Sequence, residues 1–392
     1  MAIFSRRSKQ TQELDFDTAF RQLVAQHGIV FTEGPGDAIS FNGQSMNLSN
    51  LRVNWRDHRP EHRLQWLEGA VSEMLLRGVV PAQPIDPSQL RIGVRSRATF
   101  AIQALLFQRQ GVLGNRVKPL PIVGDFGWCT LVDGRSSMEP LGESRIAESG
   151  STEEELFNIG LANLKAEPIA SWTAKAGVFS PIGNEDYVCS HVFLPGALDH
   201  LPLAGNKVVF HPNRRTALVT SQDDPVALSM AANFVLEQLQ QGTAHPISLE
   251  PVVSGPDGWS LLELDPSHPA YQACRTLTLG SYEQNYGQQQ QLLQEVFGDD
   301  LFVASFKAAE DPNGEMFSYS TWTHDVRQLL PKTDFIGFVD SEPKFLGMVP
   351  WDRVQQVCGH LMEPTAHWPA RTRALEFPSN AELAELVKHA TL

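Results

Sequence analysis

Histidines and acids set three or four residues apart are the first places where this chain could do chemistry. His58-Arg59-Pro60-Glu61-His62 satisfies H-x-x-E-H, in which two imidazoles one helical turn apart hold zinc and the glutamate acts as general base. That chemistry needs a helix. Pro60 lacks the amide donor and biases Arg59 away from the helical region, so His58 falls outside the helix that carries His62 and the pair does not converge. His360, Glu363 and His367 are interrupted in the same way by Pro364 and read as helix-end residues. His191, His200 and His211 lie on or beside expected central strands, but spacings of nine and eleven match no standard ligand set. Cys189 would share a strand face with His191, and a neutral buried thiol is the plainer expectation for it. These readings assign no metal ligand.

Glycine motifs carry no more. Gly34-Pro35-Gly36 begins like a dinucleotide fingerprint, yet it lacks the third glycine and precedes a strand, so it reads as a turn. Gly134-Arg135-Ser136 begins like a nucleophile elbow, but Met138 stands where the second glycine must be. The chain has no P-loop and no C-x-x-C. The segment from Asp133 to Ser137 follows a buried strand and could present polar groups at a sheet edge, with a plain turn as the alternative.

The elements that would position such groups alternate between hairpins and helices. Phe16, Phe20, Leu23 and Val24 recur at helical spacing until Gly28 stops the helix. Short strands follow at 29–32, 38–41 and 44–48, with Asn42-Gly43 as a hairpin turn. Pro60 opens a helix whose Leu64, Leu67, Val71, Met74 and Leu75 form one stripe. Further strands are expected at 90–94, 128–132, 187–194, 207–211, 216–220, 247–253 and 259–264, and residues 117–127 read as a rigid loop broken by prolines and glycines. A capping box at Ser151 and Glu154 starts one helix, and Asp224-Pro225 starts another that ends at Gly242. After Asp265-Pro266-Ser267-His268-Pro269, a second run of helix, hairpins and a Ser379–Glu382 capping box looks like its own unit. Hairpins outnumber βαβ repeats. The fold class expected is α+β, with mixed, largely antiparallel sheets packed against helices.

Length and composition agree with that. The 392 residues suit two domains, divided as a disordered tail over 1–13, an α+β domain over 14–265 and a C-terminal α+β domain over 270–392. A formal net charge of −14 without a long basic run argues against a nucleic-acid or anionic-membrane surface. No window approaches the ~20 apolar residues of a membrane span, and the charge order at Arg6, Arg7 and Lys9 is wrong for a secretion signal. Cys129, Cys189, Cys274 and Cys358 are scattered and read as buried free thiols in a reducing cytoplasm.

From 128 to 264 several strings resemble the bacterial YtpQ-like family, a domain of unknown function: Leu131-Val132-Asp133, Asn163-Leu164, Asp186-Tyr187, Leu194-Pro195, Pro212-Asn213-Arg214 and Leu218-Val219-Thr220. The segments 318–323 and 329–334 resemble the C-terminal extension of its longer relatives. The resemblance implies a bacterial cytoplasmic α+β protein and brings no activity. This chain departs from the family pattern at Val188 and His191, where an acid and an arginine are expected, which puts any charge-dependent site there in doubt.

Two functions follow as expectations. The first is a noncatalytic interaction or regulatory protein that offers a surface to a protein partner, without cofactor, nucleic acid or membrane. The second is a small-molecule binder or enzyme in which Asp133, His191, Asn213 and Arg214 gather around an anionic ligand at the loop end of the larger sheet.

Overall fold

Asp15 accepts a hydrogen bond from the Thr18 backbone amide and caps α1 (Phe16–Gln26), and Gly28 beyond its end takes a φ of 66° that an L side chain resists. Strands β1 (Thr32–Glu33), β2 (Ala38–Phe41) and β3 (Gln44–Asn47) form a three-stranded antiparallel sheet, and α2 (Leu48–Asp57) and α3 (Arg63–Val79) follow. Phe41 pairs with Gln44 across the expected hairpin, whose Asn42-Gly43 turn lies outside the described residues. The computed structural model describes residues 15–390 apart from 35–36, 42–43, 80–83, 110–115, 134–137, 168, 170, 184–186, 242–244 and 343. The tail over 1–13 and the Gly134-Arg135-Ser136-Ser137 segment also fall outside them. The chain divides into two compact units, Met1–Ala82 and Gln83–Leu392.

The first unit has its own core of Phe16, Phe20, Val24, Ile39, Leu51, Trp55, Leu67 and Val71. Arg52 ties it at the surface, bonding Asp17 at 2.7 Å and Asp37 at 2.5 Å. His58 lies beyond the end of α2, its Nδ1 donating to the Asn54 carbonyl at 2.7 Å while its ring stacks on Trp66, and residues 60–62 form a single 3-10 turn.

In the second unit, β4 (Leu90–Ser96), α4 (Arg97–Arg109), β5 (Leu120–Val123), β6 (Phe126–Asp133) and β7 (Met138–Pro140) build an antiparallel sheet around β6, followed by α5 (Glu143–Ser149) and α6 (Glu153–Ala166). Part of the loop expected over 117–127 is therefore a strand. Pro121 is tolerated because β5 is an edge strand with a register shift between Pro121 and Val123. The capping box of α6 is Thr152 with Glu155, one residue beyond the expected pair.

A six-stranded antiparallel sheet runs β13-β12-β10-β11-β9-β8, from β8 (Ser171–Lys175), β9 (Val178–Ile182), β10 (Lys207–Asn213), β11 (Thr216–Ser221), β12 (Val252–Gly255) and β13 (Gly258–Leu261), with α7 (Pro225–Gln241) between β11 and β12. Its residues alternate between faces as the pleat requires. Val209, Ala217, Val219 and Val252 join Phe126, Val192 and Phe193 on one face. Val208, Phe210, Leu218 and Val253 meet α7 on the other, together with Ala270, Cys274 and Leu277 of the next helix. Residues on both sides of the 265–270 stretch thus share a core. The strand expected over 187–194 is a 3-10 segment instead, held by Ser190 N to Tyr187 O at 2.8 Å and by Val94 N donating to Ser190 Oγ at 2.8 Å.

Helix α8 (Tyr271–Phe297) leads to β14 (Phe302–Val303), β15 (Lys307–Glu310), β16 (Met316–Thr323), β17 (Gln328–Pro331), β18 (Phe335–Val339), β19 (Phe345–Pro350), α9 (Trp351–Cys358), β20 (Met362–Pro364), β21 (Arg371–Ala374) and α10 (Asn380–Val387). These strands form two four-stranded sheets, β14-β17-β21-β20 and β15-β16-β18-β19. Each has a single parallel pair among antiparallel ones, so the α+β class expected holds. The Ser379–Glu382 capping box is present. Among the described residues no helix is long and apolar enough to cross a membrane.

Because the first unit carries a separate core, calorimetry on the full chain should resolve its melting from that of the second. Phe20→Ala should destabilise the first transition by about 3–5 kcal/mol and leave the other in place, whereas a shift of both would show that the cores unfold together.

Candidate ligand-binding cleft

The four residues expected to form a site belong to three elements, the end of β6, the 3-10 segment over 188–193 and the β10–β11 turn. His191 is buried in the 3-10 segment, its Nδ1 3.0 Å from the Val188 carbonyl and its Nε2 2.9 Å from the Leu164 carbonyl, so backbone oxygens occupy both nitrogens. Asn213 and Arg214 share the β10–β11 turn, where Asn213 Oδ1 accepts from Arg215 N at 2.9 Å and Arg214 N donates to His245 O. Asp133 ends β6 opposite Met138. None of the four lines the cleft described next. Of the other histidines, His211 is buried, donates from Nδ1 to Thr216 O at 2.8 Å, and is pushed down by that burial to a pKa of about 4. All four cysteines are buried and free, and burial pushes Cys129, Cys274 and Cys358 up to about 12.

The sequence does gather chemistry along α8. Tyr271, Cys274, Arg275, Thr278, Leu279, Tyr282 and Tyr286 recur at three- and four-residue steps and therefore share one face. That face floors a cleft of about 730 Å³. Leu261 to Leu264 make one wall, Ser318 with Lys332 to Asp334 the other, and Trp368 to Ala370 close the end. Tyr282, Tyr286 and Phe306 cluster, with ring centroids 5.2–6.2 Å apart. Arg275 bonds the Asp334 carboxylate, which also accepts from Ser318 N at 2.6 Å and Ser318 Oγ at 2.7 Å. The Lys332 side chain is exposed at the rim.

Directly behind the closed end lie two buried acids, Asp125 at 2% and Glu250 at 1% exposure. Asp125 Oδ1 accepts from Ala98 N at 2.6 Å, in the first turn of α4, and from Trp368 Nε1 at 2.9 Å, while Oδ2 accepts from Ser96 Oγ at 2.6 Å. Its backbone amide donates to Glu250 Oε2 at 2.7 Å. Glu250 Oε2 also accepts from Ser248 Oγ, Glu250 Oε1 has no hydrogen bond of normal geometry among the described residues, and the Tyr282 hydroxyl faces the carboxyl. Among the described residues the cation beside them is Arg97, which donates to Gly124 O and stacks 3.6 Å from the centre of the Trp368 ring. Burial raises both acids, Asp125 to about 7, and the neighbouring carboxylate adds to the rise at Asp125.

Sequence reasoning missed this cluster. Its members come from four separated segments, and Gly124-Asp125 reads only as turn chemistry. The signal that was present is the tyrosine stripe of α8. No family model, curated protein or solved structure matches the chain.

A buried acid with a raised pKa keeps its proton in the fold and gives it up when unfolded, so its contribution to stability falls as pH rises from about 4 to about 7 and levels off above that. Asp125→Asn, which mimics the protonated acid, should therefore gain about 2–3 kcal/mol on wild type between pH 5 and pH 8 in denaturant titrations. A difference that stays flat with pH would show that Asp125 ionises normally.

Proposed function

We propose that this chain is a small-molecule-binding protein and that the cleft along α8 is its site. The observation that carries this reading is the meeting of a cleft of about 730 Å³, lined by aromatic rings at helical spacing, with buried acids of raised pKa directly behind the Gly124 and Trp368 that line its inner end. Concave apolar space with a few convergent polar groups is how folded proteins hold small ligands, and perturbed carboxyl groups concentrate at such places. The site differs from the one expected around Asp133, His191, Asn213 and Arg214. Because no catalytic motif accompanies the cleft, binding without turnover is the reading. The YtpQ-like resemblance brings no activity to set beside it.

A surface for a protein partner is the second reading. Val226, Met230 and Phe234 recur every four residues on α7 and are 68%, 39% and 42% exposed. They border a largely apolar groove of about 690 Å³ beside β8 and β9.

Thr278→Trp tests the first reading, since Thr278 sits midway along the floor of the cleft and an indole there would fill it. Ligand-observed NMR against a library of small aromatic amines, alcohols and acids should find binders of the wild-type protein that Thr278→Trp weakens at least ten-fold. Binders that tolerate the substitution, or none at all, would place the function elsewhere.

A further inference from the structure

We infer that the ligand of this cleft carries an ammonium group, seated at the inner end against Glu250 Oε1 and the rings of Tyr282, Tyr286 and Trp368; this rests on the cleft being the binding site. The first support is a count of charges. Two buried carboxylates, Asp125 and Glu250, face one guanidinium, Arg97, which is itself committed to Gly124 O and the Trp368 ring. One negative charge is left over.

The second support is a count of hydrogen bonds. Asp125 accepts three and Glu250 Oε2 accepts two, whereas the enclosed Glu250 Oε1 accepts none of normal geometry among the described residues, the Tyr282 hydroxyl being the remaining donor beside the carboxyl. A buried acceptor without a donor is costly, and a ligand N–H would satisfy it. The carboxyl stands immediately behind the Gly124 backbone and the Tyr282 side chain, both of which line the cleft. A Cβ at Gly124 would come within 2.5 Å of Glu250 Oε2, so the wall is thin because this residue is glycine.

Ring chemistry is the third support. Tyr282, Tyr286, Phe306 and Trp368 line this end, and the faces of such rings attract a desolvated alkylammonium. Burial holds the pKa values of both acids up, so the pair favours keeping a proton unless a cation stands beside it. The groups facing Glu250 are Asp125 from the turn before β6, Ser248 on its own segment, Arg97 from α4, and Tyr282 and Tyr286 from α8. Binding of an ammonium would favour the ionised pair and release a proton from it to solvent.

Calorimetry with phenethylamine, 2-phenylethanol and 3-phenylpropanoate separates the possibilities. The amine should bind at least ten-fold more tightly than the alcohol or the acid, and repeating the titration at pH 6 in buffers of different ionisation enthalpy should show proton release. Glu250→Gln, which keeps the shape and the Asp125 amide bond, should abolish the preference for the amine and the proton release, and Tyr282→Phe should weaken the amine several-fold. Equal or tighter binding of the acid or the alcohol, or an amine preference that survives Glu250→Gln, would overturn the inference. If a Thr278→Trp-sensitive ligand of another class is still found, the cleft reading stands without the ammonium, and if none is found both fall.

Discussion

Two carboxylates without enough positive charge between them are the constraint around which the second unit is organised. Asp125 is bound at once by the first turn of α4, by Ser96 at the end of β4 and by the indole of Trp368, and its own amide holds Glu250. A single buried acid therefore ties together segments up to 243 residues apart. Burial of an acid this short of cationic partners costs free energy. The raised pKa values show how the cost is limited, since the acids take up a proton in place of a partner. A structural role alone would be met as well by asparagine and glutamine, which cap helices and accept from indoles without the penalty. The arrangement makes sense if the charge is wanted when something occupies the cleft.

Other interactions fix the cleft's shape so that this charge faces a defined space. Arg371, 1% exposed, reaches under α8 and donates to the carbonyls of Ala304, Leu329 and Tyr286 and to Gln289 Oε1, with no carboxylate partner among the described residues. Burial pulls its pKa down to about 10. Its guanidinium lies 5.1 Å from the Tyr286 ring, so the helix floor is held to the strands behind it by a charge spread over neutral acceptors. The closing segment is pinned as firmly. Gln289 Nε2 donates to Pro369 O at 2.8 Å and Tyr286 Oη to Ala370 O at 2.7 Å, which fixes Trp368 over Asp125. Rigid walls around an unsatisfied acceptor are what selective binding needs, since little ordering remains to be done when a ligand enters.

Much of the fold was legible because its determinants are local. Asp224-Pro225, Ser379–Glu382 and Gly28 mark helix ends by chemistry confined to one turn, and the alternation in 207–211 and 216–220 gave two central strands. The failures were also local in origin. Residues 187–194 are apolar enough for a strand, but no neighbour offers them a ladder, and Ser190 instead caps the backbone of β4. Most of α8 went unread because Gly280, Gly287 and its many glutamines blur the apolar stripe, and because the helix is packed on more than one side. Proline at 266 and 269 suggested a division that the shared packing of Phe210, Cys274 and Leu277 spans. The candidate site was the least legible part. Nothing in the neighbourhood of Asp125 announces Glu250 or Trp368, and a pKa depends on burial that only the folded chain supplies.

The position of a bound ligand bears most directly on the central claim that this cleft is a binding site completed by a buried acid pair. A crystal structure of the protein with the tightest ligand found should show it lying along Tyr271, Thr278 and Tyr282, with a donor nitrogen within hydrogen-bonding distance of Glu250 Oε1. A ligand seated on α7 or on the β10–β11 turn, with no ligand donor at Glu250 Oε1, would contradict the account.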